Sequence, residues 1–117
     1  MQAISTEKLR QKLEDKNDLV LINTLPAESF EDTKIEHAIN IPLDSPNFVQ
    51  RVETAVGQDR DAEIVVYCAS DQCKSSTQAA EKLVAAGFTH VLDYEGGSEE
   101  WHRAQTSQSS SSAGKFR

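Results

Sequence analysis

Cysteine, histidine and basic side chains are all scarce in this sequence. Cys68 and Cys73 are its only cysteines, and His37, His90 and His102 its only histidines. Scattered in this way they do not supply the four-ligand set of a zinc site, so no metal is expected. A chain of 117 residues is long enough to bury one core without disulfide or metal staples, and is taken as one domain. Lysine and arginine number 12 against 19 acidic residues, a formal net charge of −7 with no basic cluster. Such a surface on average repels a nucleic-acid backbone, and an anionic membrane surface is disfavoured for the same reason. Long apolar runs are missing too, since none approaches the roughly 20 residues of a membrane span. The opening segment MQAISTEKLRQKLEDKND has mixed charge and lacks the apolar core of a signal peptide. The expected location is therefore the cytoplasm, where two cysteines are read as thiols with chemistry rather than as a structural bridge. Gly96-Gly97 is followed by no Lys-Ser/Thr pair, so it reads as a turn and not as a phosphate loop. No cofactor is expected.

What the chain does contain is an alternation of helical and extended patterns. Ser5 is placed to cap a helix through about Asp15, with Leu9 and Leu13 on one face. LVLIN (19–23) is short and nearly all apolar, the pattern of a strand buried on both faces. Pro26 suits the first turn of a short helix, PAESFED. AINIP (38–42) reads as a second strand and NFVQRVETAV (47–56) as a helix. EIVVYC (63–68) has the strongest strand character. A helix from about Ser75 to Ala86 turns Ala79, Ala80, Leu83 and Val84 inward and stops at Gly87. HVLDY (90–94) is a last strand. Beyond the Gly-Gly turn, Ser98 is read as an N-cap, Glu99 and Glu100 suit the helix dipole, and Trp101 packs inward. Strands separated by helices mean parallel pairing and an α/β layer fold. TSQSSSSAGKFR (106–117) has almost nothing to bury and reads as a Ser-rich flexible C-terminal tail, which leaves residues 1–105 as the domain.

Ligands of parallel α/β sheets sit outside the carboxyl ends of the strands. Cys68 closes the strongest strand and so falls on that edge. The loop after it, Ala69, Ser70, Asp71, Gln72, Cys73 and Lys74, lacks bulky apolar side chains. Its backbone N–H groups can turn inward as an anion cradle, with the positive end of the following helix nearby. Such surroundings favour a thiolate, and the thiolate is the nucleophile. The plainer reading is an inert buried cysteine at the end of a strand. On the residues alone, both stand.

Several motifs, in order, resemble the rhodanese-like domain family. EHAINIP (36–42) is similar to the end of that family's G-H-I-x-G-A-x-N-I-P segment. IVVYC carries a cysteine where the family keeps its nucleophile. AAEKLVAAGF followed by VLDYEGGSEEW matches its helix, short strand and G-G-x-x-x-W ending. The likeness runs from about Ser5 to Ala104. It implies a five-stranded parallel sheet flanked by helices, and Cys68 as the carrier of a sulfane sulfur in persulfide form. It also implies a sulfur donor and a thiol acceptor, each a small molecule or a protein.

The departures from that pattern fall around the site. Asn23, Thr24 and Leu25 stand where the family often has Asp-x-Arg. Lys34 stands at the His of G-H-I, and His37 at the Gly before Ala. The loop CASDQCKS is one residue longer to its first basic side chain, and Lys74 replaces the usual Arg. Lysine is a point charge without the planar fork of guanidinium, and Asp71 partly cancels its field. Thiosulfate is therefore expected to be a poor donor, and a neutral or protein-borne persulfide at least as suitable. Cys68 to Lys74 also has the C-x5 spacing of phosphatases and arsenate reductases on this fold, although those use an arginine against transition-state charge. Asn23, Leu25 and Asp71 motivate a third reading, a rhodanese-like binding or regulatory module with little turnover. Cys73 is a resolving or redox thiol, an alternative nucleophile, or loop filling. Its C-x4-C spacing does not decide whether the two sulfurs meet. The three histidines read as surface or packing residues.

Overall fold

The computed structural model describes residues 2–15 and 19–114. In chain order the elements are β1 (Gln2–Ala3), α1 (Thr6–Glu14), β2 (Val20–Asn23), α2 (Ala27–Thr33), β3 (Ile39–Asn40), α3 (Phe48–Ala55), β4 (Glu63–Tyr67), α4 (Ser75–Ala85), β5 (His90–Tyr94) and α5 (Gly97–Gly114). The five strands form one sheet in the order β1-β5-β4-β2-β3. Every pairing is parallel. The fold is thus a five-stranded parallel sheet flanked by helices, as the family resemblance implies.

β4 lies in the middle, and its residues Ile64 to Tyr67 are wholly buried, which is what an unbroken apolar run demands of a strand covered on both faces. One face packs Ile22, Ile64 and Val66 against Phe48 and Val52 of α3 and Ala79, Ala80 and Leu83 of α4. The other packs Leu21, Val65, Tyr67 and Tyr94 against Leu9 of α1 and Trp101 of α5. Tyr94 and Trp101 meet edge to face, their ring centroids 6.4 Å apart. The Ser5 cap forms as its residue type predicts, its Oγ accepting the Lys8 N–H at 3.1 Å. Gly87 follows α4 with φ of +101°, the left-handed stop that glycine adopts without a Cβ penalty.

Five local readings need correction. β1 is a strand that the residue pattern does not announce, because two residues carry no periodicity; it exists through its pairing with β5 (Gln2↔Leu92, Ala3↔Asp93). β4 ends at Tyr67, so Cys68 is the first residue beyond the strand. Pro26 occupies the N-cap position of α2 rather than its first turn. Val84 is exposed, since Ala79, Ala80 and Leu83 already fill the inward stripe and the next position rotates about 100° away from it. Ser98 lies inside α5 and does not cap it.

α5 also continues past Gln105 to Gly114. Serine is a mediocre helix former but not a breaker, and extending a nucleated helix costs far less than starting one. Lys115, Phe116 and Arg117 lie outside the described residues.

Candidate active site

Cys68 leaves β4 where Tyr67 is paired with Asn23 on one side and Tyr94 on the other. Its position is therefore set by the middle of the sheet. Its own carbonyl is held from the far side: the Ser98 N–H donates to Cys68 O at 2.9 Å and the Glu99 N–H to Ala69 O at 2.8 Å. The Ser98 hydroxyl adds a bond to Ala69 O at 3.3 Å. These N–H groups belong to the first turn of α5, which has no intrahelical acceptors for them. The start of the loop is thus clasped by a helix end. Gly97 makes the approach possible. Its φ is +69°, and a Cβ there would sit 2.5 Å from Cys68 O and 2.7 Å from both Ala69 C and Ser70 N.

The loop then doubles back. The Cys73 N–H donates to Ser70 O at 3.1 Å, and the Gln72 N–H to Ser70 Oγ at 3.3 Å. This turn carries Cys73 over Cys68. The Cys68 thiol, 1% exposed, has Cys73 O at 3.5 Å and Ser76 Oγ at 3.7 Å. The Cys73 backbone is thus in contact with the Cys68 sulfur, and each thiol shifts the pKa of the other. Burial pushes the Cys68 thiol up to about 11, and the neighbouring Cys73 thiol adds to the rise, against opposing bonds from Ser76. Around Cys73, partial burial works upward but is outweighed by the Cys68 thiol, the Ser75 N–H and hydroxyl, and the Ala69 N–H, so its pKa is lowered.

Two of the loop amides are engaged within the loop itself: those of Gln72 and Cys73 close the turn onto Ser70. Of the two thiols, Cys68 is the one held protonated and Cys73 the one shifted toward the thiolate.

The remaining sequence candidates divide by burial. Asp71 and Lys74 are exposed on the loop. Asn23 is fully buried; its Nδ2 donates to Thr33 Oγ1 at 2.9 Å and Tyr67 Oη at 3.1 Å, and its Oδ1 accepts the Leu25 N–H at 2.9 Å. It holds the end of β2 to α2 and β4, so a carboxylate missing there is a structural exchange rather than a lost site charge. His37, His90 and His102 are exposed, and Cys68 has no histidine among its hydrogen-bond partners. His37 has φ of +71°, which explains a glycine at that place in the family segment. Sequence reasoning missed Ser76, whose buried hydroxyl faces the Cys68 sulfur, and the reach of Ser98 and Gly97 to the loop. The Gly-Gly turn was the one visible signal for the latter. It also missed Asp93, 1% exposed, which accepts the Thr77 hydroxyl on Oδ2 at 2.8 Å and has no partner on Oδ1.

Over residues 5–104 the chain matches the rhodanese-like domain family, and it belongs to that family. It is 31% identical over 102 residues to an adenylyltransferase and sulfurtransferase of Candida albicans, a match covering 84% of this chain but only 23% of that protein. A sulfurtransferase of Allochromatium vinosum is 29% identical over 100 residues, covering 86% of this chain and 87% of the other. Among solved structures, a rhodanese-like domain from Anabaena sp. superposes with a TM-score of 0.75 at 24% identity, over 89% of this chain and 75% of that one. A thiosulfate sulfurtransferase from Pseudomonas aeruginosa does so with a TM-score of 0.77 at 20% identity, over 90% of this chain and 19% of that one. Likeness at these identities establishes the fold. No described helix is long and apolar enough to cross a membrane.

Proposed function

We propose that this chain is a sulfurtransferase domain that carries sulfane sulfur as a persulfide on Cys68. The observation that carries the reading is the double fixation of Cys68, by the central strand on one side and by the α5 clasp on the other, at the ligand-binding edge of a parallel sheet. Sequestered there, a persulfide is shielded from solvent thiols. In the first half-reaction a donor R–S–SH meets the Cys68 sulfur, which attacks the outer sulfur atom. R–SH leaves and Cys68–S–SH remains, the thiol proton of Cys68 passing to the departing thiolate. An acceptor thiol R′–SH then attacks the outer sulfur, forming R′–S–SH and restoring Cys68–SH. Each step is a thiol exchange at sulfur, and none needs an outside oxidant.

The buried thiol must lose its proton during the attack, and the departing thiolate takes it up. The single ammonium of Lys74 and the opposing charge of Asp71 suit a donor of low charge better than thiosulfate. Donor profiling tests the reading. Incubation with a small-molecule persulfide should add about 32 Da, one sulfur atom, to the parent and nothing to Cys68→Ser. Thiosulfate should load more slowly, and an aryl phosphate and arsenate should not turn over. A parent chain that gains no sulfur from any donor but still captures a protein through this loop would instead mark a binding module.

A further inference from the structure

Rhodanese-type transfer needs one cysteine, yet this loop carries a second one, turned back so that its backbone meets the sulfur of the first. The Ser70–Cys73 turn folds the second cysteine back over the first, leaving Cys73 O 3.5 Å from the Cys68 sulfur. Cys68 is buried, whereas Cys73 is half-exposed, and both are free thiols. Partial burial works upward on the Cys73 thiol, but the neighbouring Cys68, Ser75 and Ala69 lower its pKa. The arrangement is a prepared nucleophile beside a buried sulfur carrier.

Resting on the persulfide reading, we propose that Cys73 discharges the Cys68 persulfide internally: its thiolate attacks the inner sulfur, hydrosulfide leaves, and a Cys68–Cys73 disulfide remains for a dithiol reductant. The balance is Cys68–S–SH plus Cys73–S⁻ giving Cys68–S–S–Cys73 plus HS⁻. One S–S bond breaks and one forms. The sulfane sulfur takes up two electrons and leaves as sulfide, while the two thiols are oxidised to the disulfide. A dithiol then restores both thiols by exchange, entering at the half-exposed Cys73. The rival attack, on the outer sulfur, expels the Cys68 thiolate. That group is the poorer leaving group, because its buried site strongly favours the protonated form, and exchange is faster when the leaving sulfur is the weaker base. The domain thereby has a second activity, reduction of sulfane sulfur to sulfide, alongside transfer to an acceptor thiol.

The test uses the full chain under anaerobic conditions, loaded with gel-filtered glutathione persulfide and given no reductant. The parent should gain about 32 Da, then release one hydrosulfide per loaded chain and end about 2 Da lighter than the reduced form. Cys73→Ser should load equally but hold its adduct at least about tenfold longer, without releasing sulfide. Equal adduct lifetimes in the parent and Cys73→Ser overturn the proposal and leave the persulfide reading intact. Disulfide formation is also measured directly in an oxidised glutathione buffer. A parent that loads sulfur but forms no internal disulfide there overturns the proposal alone. A parent and a Cys73→Ser variant that both fail to load overturn the persulfide reading, and the discharge step with it.

Discussion

At residue scale, the unequal acidity of the two thiols decides which reacts first. Cys68 is held as a thiol and Cys73 toward the thiolate, so a small alkylating agent at neutral pH should modify Cys73 rapidly and Cys68 slowly. Peptide mapping of partly alkylated protein checks this, and a faster Cys68 would contradict the assignment. Lys74 and Asp71 are exposed, and exposed charges are worth at most about 1 kcal/mol. Lys74→Ala should therefore slow alkylation and Asp71→Asn speed it, each by less than about fivefold. The elevated Cys68 value also has a stability consequence. A group whose pKa is raised by folding stabilises fully below its unfolded value and loses that contribution as pH rises to the folded one. Unfolding free energy should fall between about pH 8.5, the ordinary thiol value, and about 11, and that component should vanish in Cys68→Ala. The position of Cys68 was legible in the sequence, because an apolar run that stops at a sheet edge is a local pattern. Its protonation was not, because that depends on how the loop closes over it.

Among the elements, α5 has the strongest hold on the site. Gly97→Ala forces a Cβ against Cys68 O, Ala69 C and Ser70 N in a left-handed conformation. It should cost about 2 kcal/mol or more in urea unfolding, and reduce persulfide loading together with stability. Ser98→Ala removes a side-chain bond only and should cost about 0.5–1.5 kcal/mol. α4 is tied to β5 by Thr77 and Asp93, and Thr77→Val would leave both buried carboxylate oxygens without a partner, at about 1–3 kcal/mol. His37→Gly should act in the other direction, stabilising by up to about 1 kcal/mol, because its left-handed backbone strains any residue with a Cβ. A stability loss in that variant would contradict the strain account. The helices and the other four strands could be read from apolar spacing and caps. β1 could not, since its two residues owe their state to β5. Nor could the inner role of Ser98, which reads as a cap until the fold places its hydroxyl on Ala69 O.

For the molecule as a whole, a formal charge of −7 acts on every approaching donor. Anionic donors are slowed at low salt and neutral ones are not, because screening sets in over a Debye length of about 10 Å at 0.1 M. Raising ionic strength should therefore increase the loading rate with thiosulfate and leave that with an uncharged persulfide nearly unchanged. Stopped-flow rates across a salt series decide this, and an equal response of the two donors would remove long-range charge from the account. The charge does not depend on the fold in detail, which is why it was accessible from composition.

The clasp of α5 on the loop also gives the site a built-in gauge. Amides of a central strand such as β4 exchange their hydrogens with solvent only when the whole domain unfolds, whereas amides that close a loop exchange whenever that loop lifts. The Ser98 and Glu99 amides close this one, onto Cys68 O and Ala69 O. Their exchange rates, compared with those of Val65 and Val66, measure how often the sulfur atom meets solvent. The same two signals, followed before and after sulfur loading, would show whether the cargo itself keeps the door shut.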